Sequence, residues 1–486
     1  MKLCLINHSF RYELEKLIRI FLPFEKIEFL DYADYSENTA VTEISGNNAI
    51  ATLNFNLKQV KKEYKINNPE DLKEAELIIA TALFDCFTLV TGYQSQWGLL
   101  TGVRPAKLYS RLCMINGEAD TEKYFKEVLK VSENKISLCQ ETHSSEEKII
   151  KKSNKNSFSL YVSIPFCPTR CAYCSFVSHS VESAKKLIPE YLEKLCEEII
   201  LTAEIANKNN LSLSTIYIGG GTPTSITAEQ LEILMKTVKE NFEVENVLEY
   251  TVEAGRPDTV TEEKLKVIKK YGATRISINP QTMNDDVLNK IGRKHSAEDT
   301  VKAFELARKT GHNNINMDLI AGLPDDTLDS FIDTCNKVLK LNPESVTVHS
   351  LSMKRSSNLN VNGILPEIEV GNIASQMVDF ARDILTKSGI KPYYMYRQSK
   401  TVGNLENVGY AKVGFESLYN VYIMDETHTI LACGASAVTK LREPCGDYIE
   451  RIFNYKYPYE YIDRFSEIIS RKEGINKFYA KYGFKD

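Results

Sequence analysis

The chain has 486 residues, 43% hydrophobic and 26% charged, with a net charge of −5, which is the composition of a soluble globular protein of two or three domains. It has no long run of one sign, which argues against a dedicated nucleic-acid binder, and no stretch of about twenty uncharged apolar residues that would span a membrane. The opening MKLCLINHSFRYELEKLIRIFLP is interrupted by Arg11, Glu13, Glu15 and Lys16 and lacks a small-residue cleavage site, so no signal peptide is read and the cytoplasm is the expected compartment.

In chain order, MKLCLIN, a helical pattern from Arg11, KIEFLDY and AIATLNF predict a small α+β domain, and DLKEAELIIATALFDCFTLVTGY continues it as helix. WGLLTGVRPAKLYSRL, residues 97–112, places Trp97 near Arg104, Lys107 and Arg111, either as a packed tryptophan or as a surface for an acidic ligand. The Lys, Asn and Ser-rich EEKIIKKSNKNSFSL, residues 146–160, reads as a linker with a boundary near 157. Beyond it SLYVSIPF, STIYIGG, LEYTVEA, TRISINPQ, NINMDLIAG and SVTVHSL alternate with amphipathic helical stretches. Strand then helix, repeated, predicts a parallel sheet, and six units predict an open, partial (β/α)6 barrel with its site at the strand C-termini. Cys167, Gly219 to Gly221, Glu253, Gln281 and Asp318 fall at or near those ends. The final stretch, including YNVYIMDETHTILACG as a hairpin, predicts an α+β cap, for an overall division into 1–157, 158–365 and 366–486.

Eleven cysteines in an intracellular-looking chain read as thiols plus one metal site. Eight are singletons, at 4, 86, 113, 139, 196, 335, 433 and 445, and are expected to act as small buried hydrophobes. The other three, Cys167, Cys171 and Cys174, stand together in CPTRCAYC. A structural zinc site wants four ligands, usually as two close pairs, and the nearest fourth ligand is His179. A four-iron, four-sulfur cluster held by three thiolates instead leaves one iron for a small molecule, and Tyr173 would shield it from water.

This CxxxCxxC loop after the first strand of a repeated βα unit resembles that of the radical S-adenosylmethionine (SAM) enzymes. YVSIPFC, GGGTPT, VEAGRPD, RISINPQ, IGRKH and MDLIAGLP, in that order over residues 158–355, are similar to the oxygen-independent coproporphyrinogen III oxidases (dehydrogenases), of the Gram-positive type with an extra N-terminal domain. The resemblance implies an α/β fold with a radical SAM partial barrel and a [4Fe–4S] cluster on Cys167, Cys171 and Cys174. It implies a first SAM, chelating the open iron, at Tyr161, Gly220 and Glu253, and a second at Tyr173, Gly221, Thr222, Gln281, Arg293 and Asp318. The implied chemistry is oxidative decarboxylation of two propionates of coproporphyrinogen III to vinyl groups by a 5'-deoxyadenosyl radical, giving protoporphyrinogen IX in haem biosynthesis. Catalytic residues beyond the cluster and SAM are not assigned. The expected partners are a porphyrinogen substrate, a flavodoxin- or ferredoxin-like electron donor and an external acceptor, with no nucleic acid and no membrane, and the chain is expected to be a monomer. Arg104, Lys354, Arg355 and Arg397 are candidate cations for the substrate's propionates.

The sequence also departs from the family pattern. Phe176 stands where the well-known bacterial enzymes have a fourth cysteine. The related haem chaperones carry a His-Asn and then a Tyr-Trp where this chain reads YMYRQSKTVGNLENVGYA, and the nearest candidates for a haem ligand in the C-terminal half are His349 and His428. A haem chaperone and a radical SAM methyltransferase acting on a haem or other aromatic substrate are the alternatives to the oxidase.

Overall fold

In Lys58–Lys65, KQVKKEYK, exposed charged or polar residues alternate with half-buried Val60, Lys62 and Tyr64, the pattern of an edge strand protected by charge. This is β5 of a five-stranded sheet whose other strands are β1 (Lys2–Ile6), β2 (Glu28–Leu30), β3 (Thr39–Ser45) and β4 (Asn48–Phe55), in the order β2-β1-β3-β4-β5. Helices α1 (Arg11–Phe21) and α2 (Leu72–Thr91) bury Leu14, Leu17, Phe21, Ile79, Leu83 and Phe87 against it. Asp71 caps α2 by accepting from the backbone N–H of Lys73 and Glu74, and Gly92 ends it at φ 69°. These elements belong to a first unit, Met1–Gln140 with Ile364–Ser375 and Arg397–Glu406, and a second unit comprises Glu141–Gly363, Gln376–Tyr396 and Asn407–Asp486. The structure, a computed structural model, describes residues 1–174, 179–352, 368–398 and 400–483.

Trp97 is fully buried inside the first unit, and its Nε1 donates to Glu406 Oε2 at 2.7 Å. Lys135 Nζ closes a buried ion pair with Glu406 Oε1 at 2.7 Å. Arg397, expected to meet a propionate, is spent on the carbonyls of Leu100 (2.6 Å), Gly102 (3.3 Å) and Asn404 (3.1 Å). It is a structural clamp, and burial lowers its pKa to about 10.

The second unit holds the predicted alternation. Strands β6 (Ser157–Ile164), β7 (Ser212–Gly220), β8 (Glu249–Glu253), β9 (Arg275–Ser277), β10 (Ile315–Ala321) and β11 (Ser345–Ser350) pair in parallel, each with the next. The crossovers carry α3 (Ile188–Lys208), α4 (Ala228–Asn241), α5 (Glu262–Lys270), α6 (Ala297–Lys309) and α7 (Leu328–Leu341). This is an incomplete (β/α)6 barrel. Its sheet continues in both directions through β12 (Lys391–Arg397), β13 (Glu406–Ala411), β14 (Thr429–Cys433), β15 (Val438–Arg442) and β16 (Ile449–Phe453), in the order β12-β13-β11-β10-β9-β8-β7-β6-β14-β15-β16. Strands beyond residue 366 are therefore hydrogen-bonded into the barrel sheet, so the chain divides into two units and not into the three sequential segments expected.

Three local expectations are corrected. YNVYIMD is helical over Leu418–Asp425, because Ser417 caps it and Glu249 accepts from the Leu418 N–H at 2.6 Å, and the hairpin is instead β14–β15. Helix Glu133–Ile150 runs into the expected linker, which shrinks to residues 151–156. Among the singleton cysteines, Cys4, Cys86, Cys139, Cys335 and Cys433 are buried, but Cys113 and Cys196 are half-buried and Cys445, between β15 and β16, is exposed. No described helix is long and apolar enough to cross a membrane.

The last helix, α8 (Phe465–Tyr482), anchors the sheet beside β6. Lys472 Nζ lies 3.0 Å from Glu198 Oε1 and donates to the Ala432 carbonyl at 3.0 Å, both side chains being almost fully buried. Glu198 also accepts from the Gly434 N–H, Tyr461 Oη and Asn454 Nδ2. Replacing Lys472 by Met leaves that carboxylate without its cation and should cost about 3–5 kcal/mol in urea unfolding. The double variant Glu198→Gln/Lys472→Met should lose less than Lys472→Met alone.

Candidate active site

Alternation in the six parallel strands puts apolar residues on the helix-packed face and polar residues on the other. Tyr161, Tyr217, Thr251 and Arg275 share one register row, and Glu253, Ser277, Asn316 and Ser345 share the next. The intervening Val162, Ile216, Ile218, Val252, Ile276, Met317 and Val346 are buried. Polar side chains inside a barrel must satisfy one another. Asn316 Oδ1 accepts from Ser345 (3.0 Å) and Thr347 (3.2 Å), while its Nδ2 donates to Asp318 Oδ1 at 2.7 Å. Arg275, 1% exposed, donates to Ser345 Oγ at 3.3 Å.

Two carboxylates stand toward the C-terminal ends of these strands in unlike surroundings. Burial, with Asp318 as a like charge, pushes Glu253 up to about 7, against the hydrogen bond from Tyr217 and the charges of Arg275 and His349. Burial also acts on Asp318, but His349, with Nε2 3.8 Å from Oδ2, together with Asn316 and Arg275, outweighs it and holds the carboxyl below its ordinary value. Tyr161, Tyr217 and Tyr419 stack beside Glu253, with centroids 6.2 Å apart for Tyr161–Tyr217 and 4.4 Å for Tyr217–Tyr419. Gln281 sits at φ 69° after β9 and is 7% exposed, and its Oε1 is buried without a hydrogen-bond partner among the described residues. An orphaned buried acceptor of this kind suits a ligand hydroxyl.

The cysteine loop is held by backbone from distant segments. Phe166–Cys167 bridges to His179–Ser180, and Ala172 N–H donates to the Ile291 carbonyl at 2.9 Å. Thr169 Oγ1 donates to the Gly292 carbonyl at 3.3 Å. The glycine run packs against the same loop, since a Cβ on Gly221 would lie 2.6 Å from the Phe166 carbonyl oxygen and one on Gly220 would meet Ser163 Oγ at 2.8 Å. The Gly221 and Thr222 N–H groups donate to the carbonyls of Ile164 and Phe166, both at 2.7 Å, and Thr222 Oγ1 donates to Cys167 Sγ at 3.4 Å. Close approach of backbone to backbone is thus one demand these glycines meet.

Two arginines converge on Cys171. Arg256 Nη1 lies 3.8 Å from its Sγ, and Arg256 forks onto Asp258 at 2.8 and 2.7 Å. Arg293 donates to the Asn279 carbonyl at 2.6 Å and to Tyr173 Oη at 3.1 Å. Of the residues expected at SAM, Tyr161, Glu253, Gln281 and Asp318 gather on the polar face, while Tyr173, Gly220, Gly221, Thr222 and Arg293 are tied to the cysteine loop or the segments that hold it. Arg256, Asp258, Tyr217 and Arg275 escaped sequence reasoning. In VEAGRPD the resemblance marks the glutamate, and nothing in the spacing marks Arg256 as turning back toward a cysteine. Arg104 precedes helix Pro105–Asn116 as its N-cap residue, and Phe176, Lys354 and Arg355 lie outside the described residues.

The donor set fits the cofactors that the resemblance implies. Among the described residues no three His, Cys, Asp or Glu side chains are gathered as ligands of a single metal ion. A cube that takes one thiolate at each of three corners needs its sulfurs spread apart, and the two buried guanidiniums call for negative charge at Cys171. The carboxylates and the orphaned Gln281 oxygen suit the ammonium and hydroxyl groups of SAM.

Comparison with known proteins agrees. The radical SAM superfamily model matches residues 161–338. The oxygen-independent coproporphyrinogen-III oxidase-like protein HemZ of Bacillus subtilis (strain 168) is 39% identical over 407 residues, 83% of this chain and 81% of that protein. The heme chaperone HemW of the same strain is 35% identical over 311 residues, 62% of this chain and 77% of that protein. Among solved structures, coproporphyrinogen III oxidase (HemN) from Escherichia coli matches with a TM-score of 0.48 at 22% identity, covering 69% of this chain and 82% of that one. With a [4Fe–4S] cluster and SAM as its cofactors, the chain belongs to the radical SAM superfamily, in the family of oxygen-independent coproporphyrinogen-III oxidase-like proteins.

Proposed function

We propose that the protein removes two propionate carboxyl groups from coproporphyrinogen III without oxygen, leaving vinyl groups and giving protoporphyrinogen IX. The observation that carries this reading is the joining of a three-cysteine loop to a polar barrel mouth, in a chain 39% identical to HemZ over most of both proteins. Bound together, the cluster and SAM supply a carbon-centred radical. At each propionate a hydrogen atom passes from the β-carbon to that radical, carbon dioxide departs, and the remaining electron passes to an external acceptor. Cys167, Cys171 and Cys174 hold the cluster. Glu253 pairs with the ammonium of SAM, beside the stacked Tyr161. Gln281 Oε1 and Asp318 accept from ribose hydroxyls, and Arg293 fixes Tyr173 over the loop. The second SAM belongs to the same proposal: it lies against Tyr173, Gly221, Thr222 and Arg293, and its ribose is the one that Gln281 and Asp318 bind.

The similarity to HemW favours haem binding as a second reading. A haem carrier needs an iron ligand, and His428 is poorly placed to be one. Its Nδ1 and Nε2 are hydrogen-bonded to Ser153 Oγ at 2.8 Å and Ser159 Oγ at 2.6 Å, and burial lowers its pKa to about 3. His349 faces Asp318 instead.

Anaerobic incubation of the reconstituted protein with coproporphyrinogen III, SAM and a low-potential reductant should yield product lacking two carboxyl groups. Stoichiometric haem binding without turnover would replace this reading with the carrier, and a gain of methyl mass would replace it with a methyltransferase. Cys→Ala at 167, 171 or 174 should each abolish the iron content of the loop, about four irons per chain, and retention in all three variants would refute the ligand assignment.

Glu253 also predicts a pH dependence. Its carboxyl is largely neutral below about 7 and ionised above it, and only the ionised form pairs with an ammonium. SAM affinity should therefore rise by about tenfold per pH unit as pH approaches 7 from below, then level off. Calorimetric titration of Glu253→Gln should show weaker binding and a flat profile over the same range, with iron content unchanged.

A further inference from the structure

Arg256 and Arg293 are only 3% and 6% exposed. Two guanidiniums in one buried pocket repel each other, and each raises the cost of desolvating the other. Asp258 supplies the carboxylate for Arg256, whereas Arg293 bonds two neutral oxygens, so two positive charges meet one negative charge. His295, with Nδ1 3.9 Å from Asp258 Oδ1, adds no charge near neutral pH, since burial and Arg293 push its pKa down to about 4. The surplus positive charge faces Cys171, which is 8% exposed. Arg256 reaches that sulfur with Nη1, the nitrogen its fork on Asp258 leaves over, which also donates to Thr169 Oγ1 at 3.1 Å.

We propose that Arg256 is a positioning residue for electron entry: its guanidinium, fixed against the Cys171 sulfur and moderated by Asp258, raises the reduction potential of the cluster. The reduced cluster carries one more negative charge than the oxidised one, so a fixed neighbouring cation stabilises the reduced form more. Hydrogen bonds to ligating sulfurs, net charge and burial are the levers by which a protein sets such a potential, and Arg256 acts through all three. The low effective dielectric of the pocket keeps the effect from being screened. A purely structural Arg256 would need its fork on Asp258 and its bond to Thr169, but not an N–H aimed at sulfur. The proposal rests on the cluster and not on the identity of the substrate.

The test is a dithionite titration of the anaerobically reconstituted full-length protein, followed by electron paramagnetic resonance without substrate. Arg256→Gln removes the cation and should disfavour reduction at least tenfold, a potential lower by about 59 mV or more for one electron. Asp258→Asn removes the moderating anion and should shift the potential the opposite way, to a higher value. An Arg256→Gln variant that holds its iron at the wild-type potential overturns the proposal, as does a downward shift in both variants, which would report only a loosened loop. If Arg256→Gln fails to hold the cluster, the sign of the Asp258→Asn shift decides alone, and no shift or a downward one overturns it. These readings stand apart from decarboxylation, so a failed substrate assay and a failed potential shift are distinguishable.

Discussion

The inner face of the six parallel strands is polar, and much of the second unit is arranged around keeping that face satisfied. Parallel strands buried on both sides are usually near-continuous apolar runs. Here most residues of the inner face are polar: Ser159, Tyr161 and Ser163 on β6, Thr251 and Glu253 on β8, Arg275 and Ser277 on β9, Asn316 and Asp318 on β10, and Ser345, Thr347 and His349 on β11. A partner inside the barrel matters for each, because an unpaired buried polar group costs on the order of 1–3 kcal/mol, and among the described residues Ser277 Oγ and Arg275 Nε are left without one. Asn316 answers three of these demands at once. Glu249, lower on β8, is occupied by Ser417 Oγ and the Leu418 N–H at the start of a helix, so a barrel carboxylate caps an element more than 160 residues away in sequence.

The cysteine loop obeys a different constraint. Three short segments far apart in the chain converge on it: Gly219 to Thr222 at the end of β7 and Ile291 to Arg293 before α6 through backbone groups, and Arg256 after β8 through its side chain. Their order in the sequence is the order of the barrel strands they follow, which is why the motifs occur in a fixed sequence although they act on one loop. Substituting Gly221 would drive a Cβ into the loop's own backbone, whatever ligand is bound. A glycine run read from sequence as room for a cofactor is at least equally room for the loop that carries the cluster.

Much of the fold was legible because period-2 alternation and the intervening helical stretches are local signals, and the cysteine spacing excluded paired-ligand zinc by chemistry alone. YNVYIMD was misread because its β-branched and aromatic content favours a strand, while the deciding interactions, the Ser417 cap and the Glu249 acceptor, depend on tertiary placement. Arg397 was misread for the same reason: a lone arginine in sequence does not reveal that three backbone carbonyls occupy it. Arg256 was invisible because its significance lies in a contact across 85 residues to Cys171. Glu253 and Asp318 were both named, but not their division of labour, since the raised pKa of one and the lowered pKa of the other come from neighbours on different strands.

VEAGRPD shows how one short segment serves two opposite charges. Glu253 ends β8 on the polar face, among Tyr217, Arg275 and Asp318, where a cationic ligand group would relieve the two carboxylates. Three residues later the chain has left the strand. Gly255 carries it past Asn279, whose Nδ2 would lie 3.2 Å from an added Cβ, and Pro257 begins a single 3-10 turn that sets Asp258 to hold the Arg256 fork. The glutamate thus suits the cation of SAM while the arginine suits the anionic cluster, and the bend between them is what lets the second do so. Had the segment stayed extended, Arg256 would have continued β8 with its side chain on the face opposite Glu253, among the packed helices, and its guanidinium would reach neither Asp258 as a fork nor the Cys171 sulfur.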